Sequence, residues 1–253
     1  MTATAGRPIL EAEGVARQFG RFVALGGVDL ALEAGEKRAL IGPNGAGKST
    51  FINVVGGQLA ASAGTIRLDG RDVTGLQPHQ LARSGLGRTF QISRTYRQMS
   101  VRENLVAAYL VARGHGYSLS RGRLRALAAE AEALLERVGI AGLAERPADD
   151  ISHGDRKRLE FAMVLAGEPR LLLLDEPTAG MGLKERHELM DLVAEEASGR
   201  GLTLLFVEHD IDVVFRIADR ITVMARGQVF AEGTADEIAA DREVQRIYLG
   251  EGH

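Results

Sequence analysis

Apolar and polar residues alternate, imperfectly, along Ile9 to Arg17 and again along Phe22 to Leu32, with a break at Gly20. A period of two predicts a strand on each side of a turn. Thr65 to Leu68, Asp69-Gly70 and Arg71 to Val73 predict a tight hairpin. Leu171 to Leu174 is an unbroken leucine run, and Thr203 to Val207 and Ile221 to Ala225 are similarly apolar. Such runs predict strands buried on both faces. Arg38 to Ile41 predicts a further short strand that enters a glycine-rich loop. Helical patterns cover Ser49 to Val55, Val101 to Ala112, Leu124 to Val138, Arg156 to Ala166 and Glu185 to Ala197. Strands alternating with helices predict an α/β fold whose parallel sheet carries helices on its faces. The early hairpins predict an antiparallel sheet attached to it.

Composition narrows the function classes. The net formal charge is −3 across 253 residues, a balance that argues against a nucleic-acid binder. Cysteine is absent, which removes disulfide scaffolds, thiol catalysis and thiolate metal sites. The 31 glycines exceed the usual share of about 7 %, so parts of the fold need backbone where a side chain would obstruct. Met1 to Pro8 lack the apolar core of a signal peptide, and Leu105 to Ala112 is far shorter than the roughly 20 residues of a spanning helix. The expectation is a soluble chain that reaches a membrane through a partner. From Arg83 to Arg125 there are nine arginines, no lysine and one acidic residue, Glu103. This is either a solvated basic face or a surface for anionic headgroups or a docking partner.

Candidate chemistry is concentrated in Gly42-Pro43-Asn44-Gly45-Ala46-Gly47-Lys48-Ser49-Thr50. The pattern Gly, four residues, Gly-Lys-Ser lets backbone N–H groups close around phosphate oxygens. Lys48 is suited to the β- and γ-phosphates, Ser49 to Mg²⁺, and the following helix presents its positive end to the same anion. A second motif is Leu171-Leu172-Leu173-Leu174-Asp175-Glu176-Pro177. It delivers two carboxylates to the C-terminal end of a buried strand, where open α/β sheets bind ligands. Asp175 suits Mg²⁺ and Glu176 suits the polarisation of an attacking water. Alone, an Asp-Glu pair there is also a helix cap; beside the phosphate loop it indicates a nucleotide hydrolase.

With these motifs the chain resembles the ATP-binding cassette (ABC) family over nearly its whole length. The resemblance implies a P-loop NTPase fold with a RecA-like parallel core, an antiparallel β subdomain and a helical subdomain. It implies one ATPase domain, with residues 1–90 and 160–253 as core and 91–159 as helical subdomain. It also assigns residues. Phe19 matches the adenine-stacking aromatic, although a phenylalanine on a strand also serves as core. Gln91, in Arg88-Thr89-Phe90-Gln91, matches the glutamine that senses Mg²⁺ and couples to the membrane subunit. Ser152 and Gly154, in Ile151-Ser152-His153-Gly154-Asp155, match the signature loop that caps the nucleotide of a second cassette. His209 matches the histidine that contacts the γ-phosphate. His153 and Asp155 depart from the common signature, and Gly182 replaces the usual Asp of the loop that crosses the dimer.

The wording of these motifs, with Glu176-Pro177-Thr178-Ala179-Gly180-Met181 and the ending Tyr248-Leu249-Gly250-Glu251, looks like the ATPase subunits of branched-chain amino-acid importers. Urea-import relatives are nearly as similar, and the lipopolysaccharide-export ATPase less so. The resemblance implies ATP and Mg²⁺ as ligands and transmembrane permease subunits and a second cassette as partners. A solute-binding protein is implied indirectly, as is a place on the cytoplasmic face of the inner membrane. The permease is expected in a groove near Gln91. Competing classes are non-transport cassette ATPases and a regulatory ATP-binding module, the latter suggested by Asp155 and Gly182. Gln91 to Ile151 leaves no room for the long coiled coil of the DNA-repair and chromosome forms, and no Asn/Thr-Lys-x-Asp motif indicates a GTPase. Lys48→Ala is expected to weaken ATP binding by roughly tenfold or more, read by equilibrium titration; unchanged affinity would count against the phosphate-loop assignment.

Overall fold

The computed structural model describes residues 7–88, 95–114 and 120–249. In chain order its elements begin with β1 (Leu10–Phe19), β2 (Phe22–Leu32), β3 (Lys37–Ile41), α1 (Lys48–Val55), β4 (Ala63–Leu68), β5 (Arg71–Asp72), α2 (Pro78–Arg83) and β6 (Leu86–Arg88). Helices α3 (Val101–Ala112), α4 (Arg121–Arg137) and α5 (His153–Leu165) follow, with a single 3₁₀ turn at Ala141–Leu143. Then come β7 (Leu171–Asp175), α6 (Leu183–Arg200), β8 (Thr203–Val207), α7 (Ile211–Ile217), β9 (Arg220–Ala225), β10 (Gln228–Gly233), α8 (Ala235–Ala240) and α9 (Arg242–Leu249).

Two sheets form. The first is antiparallel, in the order β2-β1-β4-β5, and the second runs β10-β9-β3-β8-β7-β6. In the second sheet β9, β3, β8, β7 and β6 are parallel, and only the edge strand β10 is antiparallel to its neighbour β9. The imperfect alternation of β1 has a local cause. Its pairing with β2 shifts register between Ala12 and Val15, where Gly14 adopts φ +59°, and again after Arg17. A bulge reverses which face a side chain meets.

The leucine run explains the layers. Leu172 and Leu174 of β7 join Leu204 and Phe206 of β8 in one core, with Leu105, Leu134, Leu159 and Val213 from the helices. Leu171, Leu173, Leu205 and Val207 face the opposite core, with Phe51 and Ile52 of α1 and Leu10, Leu25 and Leu30 of the antiparallel sheet. The parallel sheet is thus covered by helices on one face and by α1 and the antiparallel sheet on the other. Every residue of β7 and β8 is buried.

The starts of α3, α4 and α5 follow serine caps. Ser100 accepts from Glu103 N at 3.1 Å while Glu103 Oε2 accepts from Ser100 N at 2.8 Å, a reciprocal cap that fixes α3 over the span the pattern predicted. Ser120 and Ser152 cap α4 and α5, so both begin three residues before the expected Leu124 and Arg156. Helix α5 runs unbroken through residue 159, where the sequence predicted a subdomain boundary.

Part of the arginine-rich stretch is paired in space. Arg97 meets Asp149, Arg102 meets Glu132 and Glu145, and Arg113 meets Glu130 and Glu168. The carboxylates come from outside the window, so these three of its nine arginines are paired at the surface while other residues of the window remain open to a partner. Leu174 has no exposed surface. Leu174→Ala is expected to cost about 2–5 kcal/mol, read as a lower urea midpoint at unchanged slope; an unchanged midpoint would contradict the two-core packing.

Candidate functional site

Strands β3, β8, β7 and β6 all deliver residues of interest at or just beyond their C-terminal ends. Residues 42–47 link β3 to α1. Gly42 adopts φ +149° and a Cβ there would stand 2.2 Å from Met224 O; Gly47 adopts φ +103° and its Cβ would stand 2.9 Å from Ala24 O. Both positions exclude a side chain by conformation and by contact. Gly47 leads into α1 without a side-chain cap, and no acidic residue lies in the first turn. The first N–H groups of α1 are therefore available to an anion, and the helix dipole favours one.

Lys48 is 6 % exposed. Its Nζ donates to Gly42 O at 2.7 Å and Pro43 O at 3.0 Å. Burial holds its ammonium below the usual lysine range, while Glu176 and Asp175 act in the opposite sense. Ser49 Oγ donates to Asp175 Oδ1 at 3.2 Å, tying the loop after β3 to the end of β7. Asp175 is 3 % exposed, and burial pushes its carboxyl above the ordinary range, opposed chiefly by the Arg88 guanidinium 3.6 Å from Oδ2. A hydroxyl beside a carboxylate suits a hard divalent cation that brings water and phosphate oxygens with it.

Glu176 follows β7 with φ +50°, an uncommon conformation for a residue with a side chain. Its N–H donates to Val207 O at 3.0 Å, which carries the β7–β8 ladder one residue further. Glu176 Oε1 lies 2.8 Å from His209 Nε2. Behind them Glu208, 4 % exposed, clamps the two loops together. Its Oε1 accepts from Thr178 N at 3.2 Å and Thr178 Oγ1 at 2.7 Å, and its Oε2 accepts from His209 N at 3.3 Å. Burial pushes the Glu208 carboxyl above the ordinary glutamate range against these hydrogen bonds.

Asn44, Gly45, Ala46, Gly47, Lys48, Ser49, Thr50, Glu176 and His209 surround one cavity of about 220 Å³. Gly42 and Pro43 hold Lys48, and Asp175 stands behind Ser49. Phe19 does not line this cavity. It lies against the Arg17 guanidinium, 4.4 Å from ring centroid to Cζ, and the lining aromatic is Phe22, its register partner across the turn. Ser152 and Gly154 lie apart from the cavity at the start of α5, where Ser152 Oγ donates to Asp155 Oδ2 at 2.7 Å. His153 Nε2 lies 3.2 Å from Ala179 O. Gln91 lies outside the described residues. Sequence reasoning did not single out Phe22, Arg88 or Glu208. The one available signal was a charged residue adjoining an apolar strand end, as in Phe206-Val207-Glu208.

A family model described as ABC transporter matches residues 25–179. One described as branched-chain amino acid ATP-binding cassette transporter matches residues 228–253. The chain is 41 % identical over 254 residues to the high-affinity branched-chain amino acid transport ATP-binding protein LivG of Salmonella typhimurium, across 97 % of this chain and 99 % of that one. Among solved structures it resembles the ADP conformation of MJ1267, an ATP-binding cassette of an ABC transporter, with TM-score 0.83, 32 % identity and coverage of 97 % and 100 %. It also resembles the dimeric post-hydrolysis state of the ATP-binding cassette MJ0796 bound to ADP and Pi, with TM-score 0.76, 25 % identity and coverage of 89 % and 98 %.

The Glu208 clamp has a pH signature. A carboxyl whose folded value is raised contributes its stability in full below the unfolded value of about 4.3 and loses it as pH rises through the folded value. The stability of the parent chain relative to Glu208→Gln is therefore expected to fall as pH rises from about 4 toward neutrality, read by urea unfolding. A difference that stays flat over that range would contradict the raised value.

Proposed function

The chain belongs to the ABC transporter family, and we propose that it is the ATP-hydrolysing subunit of an importer for branched-chain amino acids or a related small polar solute. One observation carries the assignment of roles. The Ser49–Asp175 contact and the Glu176–His209 contact open on the same glycine-lined cavity.

The amide donors of residues 44–49 and the start of α1 receive the phosphates of ATP. Lys48 exchanges its two carbonyl partners for phosphate oxygens, a trade favoured by the charge of the acceptor. Ser49 and Asp175, with Gln91 as the resemblance implies, would hold Mg²⁺, which when bound neutralises charge on the phosphates. Phe22, with Phe19 across the turn, offers the base an aromatic surface. Glu176 takes a proton from water as the water oxygen bonds to the γ-phosphorus and the bond from phosphorus to the bridging oxygen of ADP breaks. His209 holds the Glu176 carboxylate toward that water. The products are ADP and phosphate.

A second copy or a related cassette supplies Ser152, Gly154 and the N-terminal amides of its own α5 to the γ-phosphate. The permease partner fits an apolar groove of about 370 Å³ between β6, α3 and α5, whose lining includes Gly87, Arg88, Tyr96, Ala108, Val111 and Met163. Among the described residues no helix is long and apolar enough to cross a membrane. The reading therefore has this chain held at the cytoplasmic face by its permease, with a solute-binding protein serving the other side. The match of residues 228–253 and the name of the LivG relative favour import of branched-chain amino acids over lipopolysaccharide export.

Glu176→Gln is expected to retain ATP binding and to lose turnover by about 10²–10⁴-fold, the usual contribution of a positioned base. Phosphate release and nucleotide titration measure the two separately. Near-parental turnover would remove Glu176 from the role.

A further inference from the structure

Arg88 ends β6, beside Leu173 of β7, and its side chain is 9 % exposed. Its guanidinium is caged by α1 and the turn that follows. One terminal nitrogen donates to Ile52 O at 3.1 Å and to Gln58 Oε1, and the other to Asn53 Oδ1 at 2.7 Å. That second nitrogen is also the one 3.6 Å from Asp175 Oδ2. Gly56 makes room for the fork: a Cβ there would stand 2.7 Å from the first guanidinium nitrogen and 3.1 Å from Arg88 Cδ.

The two oxygens of Asp175 thus have different partners. Oδ1 faces the Ser49 hydroxyl and Oδ2 faces Arg88. The guanidinium is held at several points by Ile52, Asn53 and Gln58 and stands 3.6 Å from Oδ2 as an ion pair beyond hydrogen-bond distance, so its position sets the charge that this carboxylate oxygen faces. Gly56, Gln58 and Arg88 also belong to the lining of the apolar groove. Arg88 therefore belongs to the groove lining and also stands, through its guanidinium, beside the buried carboxylate of the nucleotide site.

We propose that Arg88 is a positioning residue that couples occupancy of the groove to the Mg²⁺-holding geometry of Asp175. The proposal rests on the reading of the cavity as a Mg-ATP site and of the groove as the permease seat. A body seated against Gly56, Gln58 and Arg88 shifts the guanidinium, and the orientation of Asp175 shifts with it. Linkage makes the effect reciprocal: metal at Asp175 changes the affinity of the groove for its occupant by the same factor.

The absence of cysteine makes a direct test available. Ala108→Cys in the full chain gives one thiol in the groove, and pyrene maleimide on it supplies an apolar occupant whose emission reports its seating. Calorimetry measures ATP affinity with Mg²⁺ and with EDTA, and the ratio is the gain due to metal. With Arg88 present, labelling is expected to change that ratio by about fivefold or more. In Arg88→Met, and in Arg88→Lys, which keeps the charge without the fork, the label is expected to leave the ratio unchanged. A purely structural arginine would alter melting temperature and both affinities together while leaving the label's effect on the ratio intact. An equal effect in all three backgrounds, or none with Arg88 present, overturns the proposal. Failure of the unlabelled parent chain to bind ATP in either condition would instead sink the nucleotide-site reading.

Discussion

A carboxylate at 3 % exposure has to be compensated, and Asp175 sets that demand at the end of a strand whose other four residues are leucine. Taking an ion out of water costs several kcal/mol unless hydrogen bonds and opposite charge replace the lost solvent. Three side chains from two elements supply the replacement: Ser49 and, more distantly, Lys48 from α1, and Arg88 from β6. Meeting the demand fixes the loop after β3 relative to β7 and holds β6 at the sheet edge. The loop after β3, the Ser49–Asp175 pair and the border of the groove meet at this one buried carboxylate.

A parallel construction operates one strand away. Glu208 is buried at the end of β8, and its three acceptor contacts reach Thr178 and His209. Glu176 and His209 stand on different loops, and the clamp makes their 2.8 Å contact a property of the scaffold rather than of two exposed side chains. The positive φ of Glu176 belongs to the same arrangement, since the N–H to Val207 O bond extends the ladder while the chain turns out of the sheet. One departure from the family signature, His153, has a partner in the loop before α6. His153 rests against the carbonyl of Ala179, within the loop that ends at Gly182.

Much of this was legible in the sequence. The leucine run announced a strand buried on both faces, and the glycine spacing announced a tight loop between β3 and α1, because each depends on local residue type. The Ser100–Glu103 cap fixed α3 at its predicted bounds for the same reason. What escaped notice depends on distant partners. Strand β6 has three residues and packs only because Gly87 leaves space beside Val164 and Pro169. Strand β10 has no run of buried residues, and its half-exposed Phe230 resembles a loop position. The arginine surplus between 83 and 125 looked like a basic patch until the fold supplied carboxylates from residues 130–168. Phe22, rather than Phe19, lines the cavity, and both rings are exposed, so no burial pattern in the sequence separates the two.

The loop of residues 42–50 and the buried Asp175 are proposed to form one Mg-nucleotide site. Its most direct test is a crystal structure of the full chain with a non-hydrolysable ATP analogue and Mn²⁺, located by anomalous scattering. A single manganese peak is expected beside Ser49 Oγ and on the Asp175 side of the phosphates, with the triphosphate on the amides of residues 44–49. A nucleotide seated elsewhere, or a metal peak remote from both side chains, would contradict it.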